Sequence, residues 1–325
     1  MHVPDAVLDP AVAAAAGLIG AAGLGYAAKR VEPGSATLLG STAAFVFAAQ
    51  MVNFPIGPLP VSGHLLGGVL AAVVVGPWGG AVVVASVLIV QCLLFGDGGL
   101  TALGANFVNM GLIGSVLGYA IYAPIRRAIG GSSGVLIGAM LAAWFSVVLG
   151  AGAFAIELAA SGRREDFLHV LGWMALVHAA IGVGEAAITG LVLRFVLRTR
   201  PDLIHNPEVA PGRAARWSQA AVASLAVATA AAIFLAPWAS EHPDGLEFVG
   251  ARLGFVADAP ARVWQAPVED YQIPLLARHS VKVATAVAGT LGTIAVFGLG
   301  LVFARVSSRR GRAQVAVEGV PADAA

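Results

Sequence analysis

Charge is what this sequence is poorest in. Only 11% of its 325 residues are Asp, Glu, Lys or Arg, about half the share in an ordinary soluble domain, while 58% are hydrophobic and the mean hydropathy is +0.84. A chain of that composition cannot hide its apolar surface from water. Cysteine is nearly absent: the single Cys92 excludes an internal disulfide framework and any cysteine metal cluster. The formal net charge of +1 leaves no basic surface for nucleic acid once membrane-edge charges are set aside. No Lys or Arg precedes Lys29, so the basic opening of a secretory signal peptide is missing and the N-terminus is expected to be kept. There is no Gly-x-x-x-x-Gly-Lys-Ser/Thr loop, so any ATP would have to be bound by another polypeptide. A His-Glu-x-x-His helix and a nucleophile paired with a base are also missing, which argues against an enzyme. No clean internal repeat appears, which disfavours the inverted-repeat secondary transporters.

What the sequence has is apolar runs of membrane-spanning length. They fall near residues 10–28, 36–54, 64–79, 80–96, 101–122, 133–159, 169–196, 215–237 and 281–304. The third and fourth run together through Gly76, Pro77, Trp78, Gly79 and Gly80, a breaker cluster read as a tight turn between antiparallel helices. The expected fold is all-α, a polytopic transmembrane bundle of about seven spans plus a two-span C-terminal module. With the N-terminus outside and the C-terminus in the cytoplasm, thirteen of the nineteen basic residues, from Lys29 to Arg312, fall inside, as the positive-inside rule requires of a multi-pass protein of the cell membrane. The chain divides into residues 1–198, a polar linker at 199–214, a two-span module with an external loop at 215–306, and a tail at 307–325 expected to be disordered in the cytoplasm.

The first two residues carry the most chemistry. A free α-amine, the peptide nitrogen after it and a second-position imidazole close fused five- and six-membered chelate rings around one ion, supplying three nitrogens in a plane from Met1 and His2. One more nitrogen completes a square. Planar all-nitrogen coordination suits nickel(II) or copper(II), whereas zinc prefers a tetrahedron. Displacing an amide proton is beyond magnesium or calcium. His64, in Pro60-Val61-Ser62-Gly63-His64-Leu65-Leu66-Gly67-Gly68, is predicted on the same side as the N-terminus and is the candidate fourth donor. Gly57, Gly63, Gly67 and Gly68 allow backbones to approach closely there, as ordinary helix packing also would.

At these residues the chain resembles the CbiM/NikM family. The resemblance rests on Met1-His2-Val3-Pro4-Asp5, on Asn53-Phe54-Pro55-Ile56 followed by Ser62 to Gly68, and on Phe95-Gly96-Asp97-Gly98-Gly99-Leu100 continuing to Asn106. His242-Pro243-Asp244-Gly245-Leu246-Glu247 looks like the PDGLE module, in related systems a separate small membrane subunit. The resemblance spans Met1 to about Arg305. It implies the substrate-binding membrane subunit of an energy-coupling-factor transporter for Ni2+ or Co2+. It further implies the metal ligands Met1, His2 and His64, a transmembrane coupling protein and two cytoplasmic ATPase subunits as partners, and membrane lipid around the chain. The fused modules and the Pro4-Asp5 opening look nickel-type. Ala6 departs from the glycine common in the family, and Val61 from a common threonine.

Polar residues inside predicted spans are costly and draw attention to Asn53, Gln91, Asn106, Asn109, His178 and Glu185. Asn106 and Asn109 share a helix face and, with Asn53 and Ser62, are candidates to support the ligands from behind. His178 and Glu185, two turns apart, are a candidate intramembrane pair, either a structural hydrogen bond or a proton relay. Acidic residues near the outer face, Asp244 and Glu247 among them, read as a solvated rim or as groups that draw cations inward. The alternative to a capture subunit is a stand-alone secondary transporter or channel, for which Glu185 is the only intramembrane carboxylate on offer.

Overall fold

The structure is a computed structural model that describes residues 1–32, 35–205, 214–256 and 263–317, with the backbone alone at 214–220 and 307–317. Its long elements begin and end where local chemistry dictates. Helix α1, Pro10–Arg30, is capped by the Asp9 carboxylate, which accepts from the Ala11 N–H at 2.8 Å. Pro10 stands in the first turn, where no donor is needed, and Lys29 and Arg30 close the negative end of the helix dipole.

Among the described residues, seven helical stretches are long and apolar enough to cross a membrane: Pro10–Arg30, Gly68–Phe95, Leu103–Ile129, Gly131–Ala160, Phe167–Thr199, Ala221–Trp238 and Val281–Val306. Helix α2, Ala36–Gln50, has only 15 residues and falls short of a full crossing. The expected all-α bundle is present, with five of these stretches in the first part of the chain and two in the C-terminal module, while the expected runs at 36–54 and 64–79 hold helices too short for a full crossing. Helix α3, Gly68–Val90, is broken at Val75 and at Gly76, whose φ is +78°. A Cβ on Gly80 would lie 2.8 Å from the backbone N of Ala72, although eight residues of straight helix rise about 12 Å. The chain thus reverses at the expected breaker cluster. Its first arm, residues 68–75, is roughly 12 Å long and crosses only part of a bilayer.

The missing length belongs to residues 51–67, which run as irregular backbone plus a small hairpin. Strand β1, Phe54–Pro55, pairs antiparallel with β2, Ser62–Gly63. Irregular backbone at such depth survives only where protein groups satisfy it. Here the Glu185 carboxylate, on α7 (Phe167–Thr199), accepts from Leu66 N–H at 2.5 Å and Gly67 N–H at 2.9 Å. The Gln50 side chain donates to the Leu66 carbonyl at 2.8 Å. Gly68 then starts α3 against Gly114, so close that a Cβ would lie 2.7 Å from the Gly114 carbonyl carbon.

The remaining helices are α4 (Leu103–Asn106), continued by a π-helical stretch Phe107–Leu117 into α5 (Gly118–Ile129), then α6 (Gly131–Ala160) packed along α7. After Pro201–Leu203 come α8 (Ala214–Phe234), the short α9 (Gly245–Leu253) and α10 (Pro274–Ala277), and α11 (Val281–Val317). Helices α8 and α11 pack on α2, and α9 packs on α7, so the C-terminal helices close over the loop that carries His64. Helix α11 runs past residue 306. Residues 206–213 of the expected linker and 318–325 of the expected tail lie outside the described residues.

Candidate metal centre

The chain's first three residues are buried in the main apolar core: Met1 is 3% exposed and Val3 1%. Two devices hold them. Asn106 grips the Val3 peptide from both sides, accepting from its N–H at 2.7 Å and donating to its carbonyl at 3.1 Å. Gly99 donates to the same carbonyl at 2.9 Å and approaches Pro4 and Asp5 so closely that any side chain there would collide with their backbone. Asp5 then ties the segment down by accepting from Thr101 N–H at 2.8 Å, Thr101 Oγ1 at 2.7 Å and Val263 N–H at 3.1 Å.

So held, the α-amine of Met1 lies 2.8 Å from His64 Nε2, and the His2 and His64 rings stack with centroids 5.3 Å apart. Burial, followed by the adjacent ammonium and His2, brings the His64 pKa down to about 3. Burial also lowers that of His2, against the pull of Asp97. Both imidazoles are therefore neutral near pH 7, the form in which they ligate metals.

Asp244 completes the cluster: its Oδ2 forms an ion pair with the Met1 amine and lies 3.9 Å from His64 Nε2. Ligating atoms of His2, His64 and Asp244 all fall within 4.8 Å of one another. Burial alone would push the Asp244 carboxyl up, but the N-terminal ammonium and His64 bring it well below the usual carboxylate range. Its position is rigid because its other oxygen caps α9, accepting from Glu247 N–H at 2.9 Å, while Glu247 accepts from Asp244 N–H at 3.0 Å. The same segment fastens the His64 loop: Ser62 donates through N–H to the Pro243 carbonyl at 2.8 Å and through Oγ to the His242 carbonyl at 2.7 Å.

The cluster lies at the wall of a polar cavity of about 420 Å³ lined by Asp5, Asn53, Asp97, Asp244, Glu247 and Asp270 among others. Its carboxylates favour a cation, and its volume admits one with much of its water shell.

Of the sequence candidates, Met1, His2 and His64 come together, and Asn106 stands directly behind them. Ser62 reaches the C-terminal module rather than a ligand. Asn53 lines the cavity, and its carbonyl accepts from Ser240 N–H at 2.9 Å. Asn109 turns away and donates to Glu157 at 2.9 Å. The expected His178–Glu185 pair is corrected: His178 Nδ1 donates to the Met174 carbonyl at 2.9 Å, while Glu185 holds the His64 loop. The His178 ring instead packs on Gly245, where a Cβ would come within 2.9 Å of its Cε1. Asp244 was legible only as an outer carboxylate. The Asp-x-x-Glu spacing of a capping box was the available signal that it sits rigidly at a helix start.

Fold and site together define a polytopic helical membrane protein with a buried, nitrogen-rich cluster at one end that is a candidate cation site. Comparison with known proteins agrees. The CbiM profile, described as a cobalt uptake substrate-specific transmembrane region, matches residues 2–203, and the PDGLE domain profile matches residues 218–309. A putative fused nickel transport protein NikMN of Archaeoglobus fulgidus is 35% identical over 94% of this chain and 98% of its own length. A fused nickel transport protein NikMN of Rhodobacter capsulatus is 29% identical over 83% of this chain and 88% of its own. Among solved structures, a truncated transition metal transporter is similar with a TM-score of 0.55 and 30% identity, covering 61% of this chain and 99% of that one. The chain belongs to the CbiM family of nickel and cobalt transport proteins and carries a PDGLE domain beyond it.

Proposed function

We propose that this chain is the substrate-capture subunit of an energy-coupling-factor type importer for a divalent transition metal, with nickel favoured over cobalt. The observation that carries this reading is the buried α-amine of Met1 beside His64 Nε2 at 2.8 Å, with the His2 ring stacked alongside. Four nitrogens then suffice for a planar site: the Met1 amine, the His2 amide and imidazole, and His64. All must be deprotonated to bind, so capture releases protons. Asp244 pairs with the Met1 amine in the metal-free protein, and its carboxylate then lies beside the bound ion's charge.

The rest of the molecule fits this role. Residues 1–198 form the metal-binding part, and the PDGLE module, 215–306, closes the site through Asp244 and braces the His64 loop through Pro243. Asn106, and more distantly Asn53 and Ser62, support the site, while the 199–214 linker joins the modules. The end of the bundle away from the site carries Arg30, Arg126, Arg127 and Arg200, and by the positive-inside rule this supports reading that end as cytoplasmic and the N-terminus as outside. A transmembrane coupling protein and two ATPase subunits would supply the energy, since the chain has no phosphate-binding loop. A stand-alone transporter needs an intramembrane carboxylate free to couple ions, and Glu185 is engaged with two backbone N–H groups.

The test is the metal content of full-length protein purified with its native N-terminus, beside a His2→Ala variant and an intact-mass measurement. About one nickel per chain in the parent, loss in the variant and a retained unmodified Met1 support the reading. A mass lacking Met1 in a metal-loaded sample refutes it.

A further inference from the structure

A square chelate closed by His2 needs its Nδ1, because only that nitrogen makes a six-membered ring with the residue's own amide. A neutral imidazole offers Nδ1 only if the proton sits on Nε2. The surroundings of His2 decide this through a chain of amides. Its Nε2 lies 3.1 Å from Gln91 Oε1, the Gln91 amide nitrogen donates to Gln50 Oε1 at 2.9 Å, and the Gln50 amide nitrogen donates to the Leu66 carbonyl at 2.8 Å.

The direction of that chain does not depend on how either amide is oriented in isolation, because its far end is a backbone carbonyl, which can only accept. Gln50 must present N–H to Leu66 and therefore oxygen to Gln91. Gln91 in turn must present N–H to Gln50 and oxygen to His2, so the last partner, His2 Nε2, is left as the donor. A second anchor gives the same polarity. The Tyr271 hydroxyl donates to the Asp97 carboxylate at 2.7 Å, and burial together with Asp97 keeps that phenol protonated. Towards the neighbouring Gln91 amide the Tyr271 oxygen is then an acceptor, which again requires nitrogen on that side of Gln91.

The local backbone serves this arrangement. Gln91 opens a π-helical turn, Gln91–Phe95, an element common at functional sites because it redirects one side chain. Its carbonyl accepts from Asp97 N–H at 3.1 Å, and Asp97 Oδ1 lies 3.1 Å from His2 Nδ1, so in the metal-free protein this carboxylate competes with Gln91 for the ring proton, and a cation bound at Nδ1 removes the competition. Tyr271 itself is held at φ +58° and stacked on Phe95 with centroids 4.5 Å apart, a strained conformation that persists because its surroundings fix it.

We propose that Gln91, oriented by Gln50 and the Leu66 carbonyl, is a positioning residue that holds His2 with its proton on Nε2 and so presents Nδ1 to the incoming ion. This deepens the capture reading and rests on it. The Leu66 carbonyl belongs to the same loop as His64, so one polar chain sets the tautomer of the first histidine and the position of the second.

The experiment uses the full-length protein with its native N-terminus, titrated with nickel and followed by calorimetry and by the visible band of planar nickel. Histidine-selective nitrogen NMR reads the His2 tautomer. Gln91→Leu removes the acceptor and is expected to weaken nickel binding about 10- to 100-fold, as loss of a partner behind a metal ligand commonly does. Gln91→Glu restores an acceptor and should recover most of that loss together with the Nε2–H signal. His2→Ala and His64→Ala serve as controls. If both controls bind nickel like the parent, the capture site itself is misplaced. If both lose binding while Gln91→Leu retains it, or the parent shows Nδ1–H, the relay alone is overturned. Equal losses in well-folded Gln91→Leu and Gln91→Glu would also overturn it, since acceptor chemistry would then be irrelevant.

Discussion

Replacing Asn106 by Leu tests whether the N-terminal dipeptide must be docked to function. The substitution keeps a side chain of similar bulk but removes both hydrogen bonds to Val3, at 2.7 and 3.1 Å. The two losses are unequal. The Val3 carbonyl keeps the Gly99 N–H at 2.9 Å, so losing the Asn106 donor costs about 0.5–1.5 kcal/mol. The Val3 N–H, in a residue 1% exposed, is left unsatisfied at about 1–3 kcal/mol. Together, about 1.5–4.5 kcal/mol is lost from docking, a shift of roughly 10- to 2,000-fold in favour of the undocked segment. Hydrogen exchange of a peptide containing Val3 should show that loss of protection directly. Nickel affinity should fall by the fraction of chains that become undocked. Unchanged protection with unchanged affinity would refute the reasoning, because the Asn106 clamp would then not hold the segment.

Three further outcomes follow from the same geometry. His64→Ala should weaken nickel binding far more than His169→Ala: His64 lies 2.8 Å from the Met1 amine, whereas His169 is exposed at the start of α7, and equal titration curves would place the ion elsewhere. Ala6 adopts φ +61° on the surface, a left-handed conformation costing a non-glycine residue roughly 1–2 kcal/mol, so Ala6→Gly should raise the thermal midpoint by up to a few degrees, and a lower midpoint would show that the strain is absent. Acid should destabilise the metal-free protein between pH 6.5 and 5: His64 is depressed to about 3 in the fold while an unfolded histidine titrates near 6.5, so unfolding takes up a proton in this window and by pH 5 about 2 kcal/mol is lost. Asp244 works in the opposite range, since a depressed carboxylate loses its contribution only as pH falls below about 4. A melting temperature independent of pH from 7 to 5 would contradict the buried neutral His64.

Much of this protein is written locally and is legible without a fold. The scarcity of charge and the long apolar runs determine a membrane bundle, because hydrocarbon demands that backbone polarity be satisfied within each helix. The Gly76 to Gly80 cluster marks a chain reversal because glycine and proline act on their own turn. Met1 and His2 announce a chelate because three of its nitrogens are adjacent along the chain. The parts that escaped are those assembled from distant segments. Asp244 reads as one more rim carboxylate until α9 carries it from the far end of the sequence to the first residue. Glu185 and His178 share a helix face and so look like partners, yet a buried carboxylate goes to the strongest unsatisfied donors within reach, and those are the Leu66 and Gly67 N–H groups of the His64 loop. That loop needs them because it runs as bare backbone where a helix was expected. Local sequence therefore determined which residues are candidate metal ligands and which segments can cross a membrane, whereas tertiary packing decided which buried polar groups satisfy one another, a choice made by three-dimensional proximity that no single stretch of sequence contains.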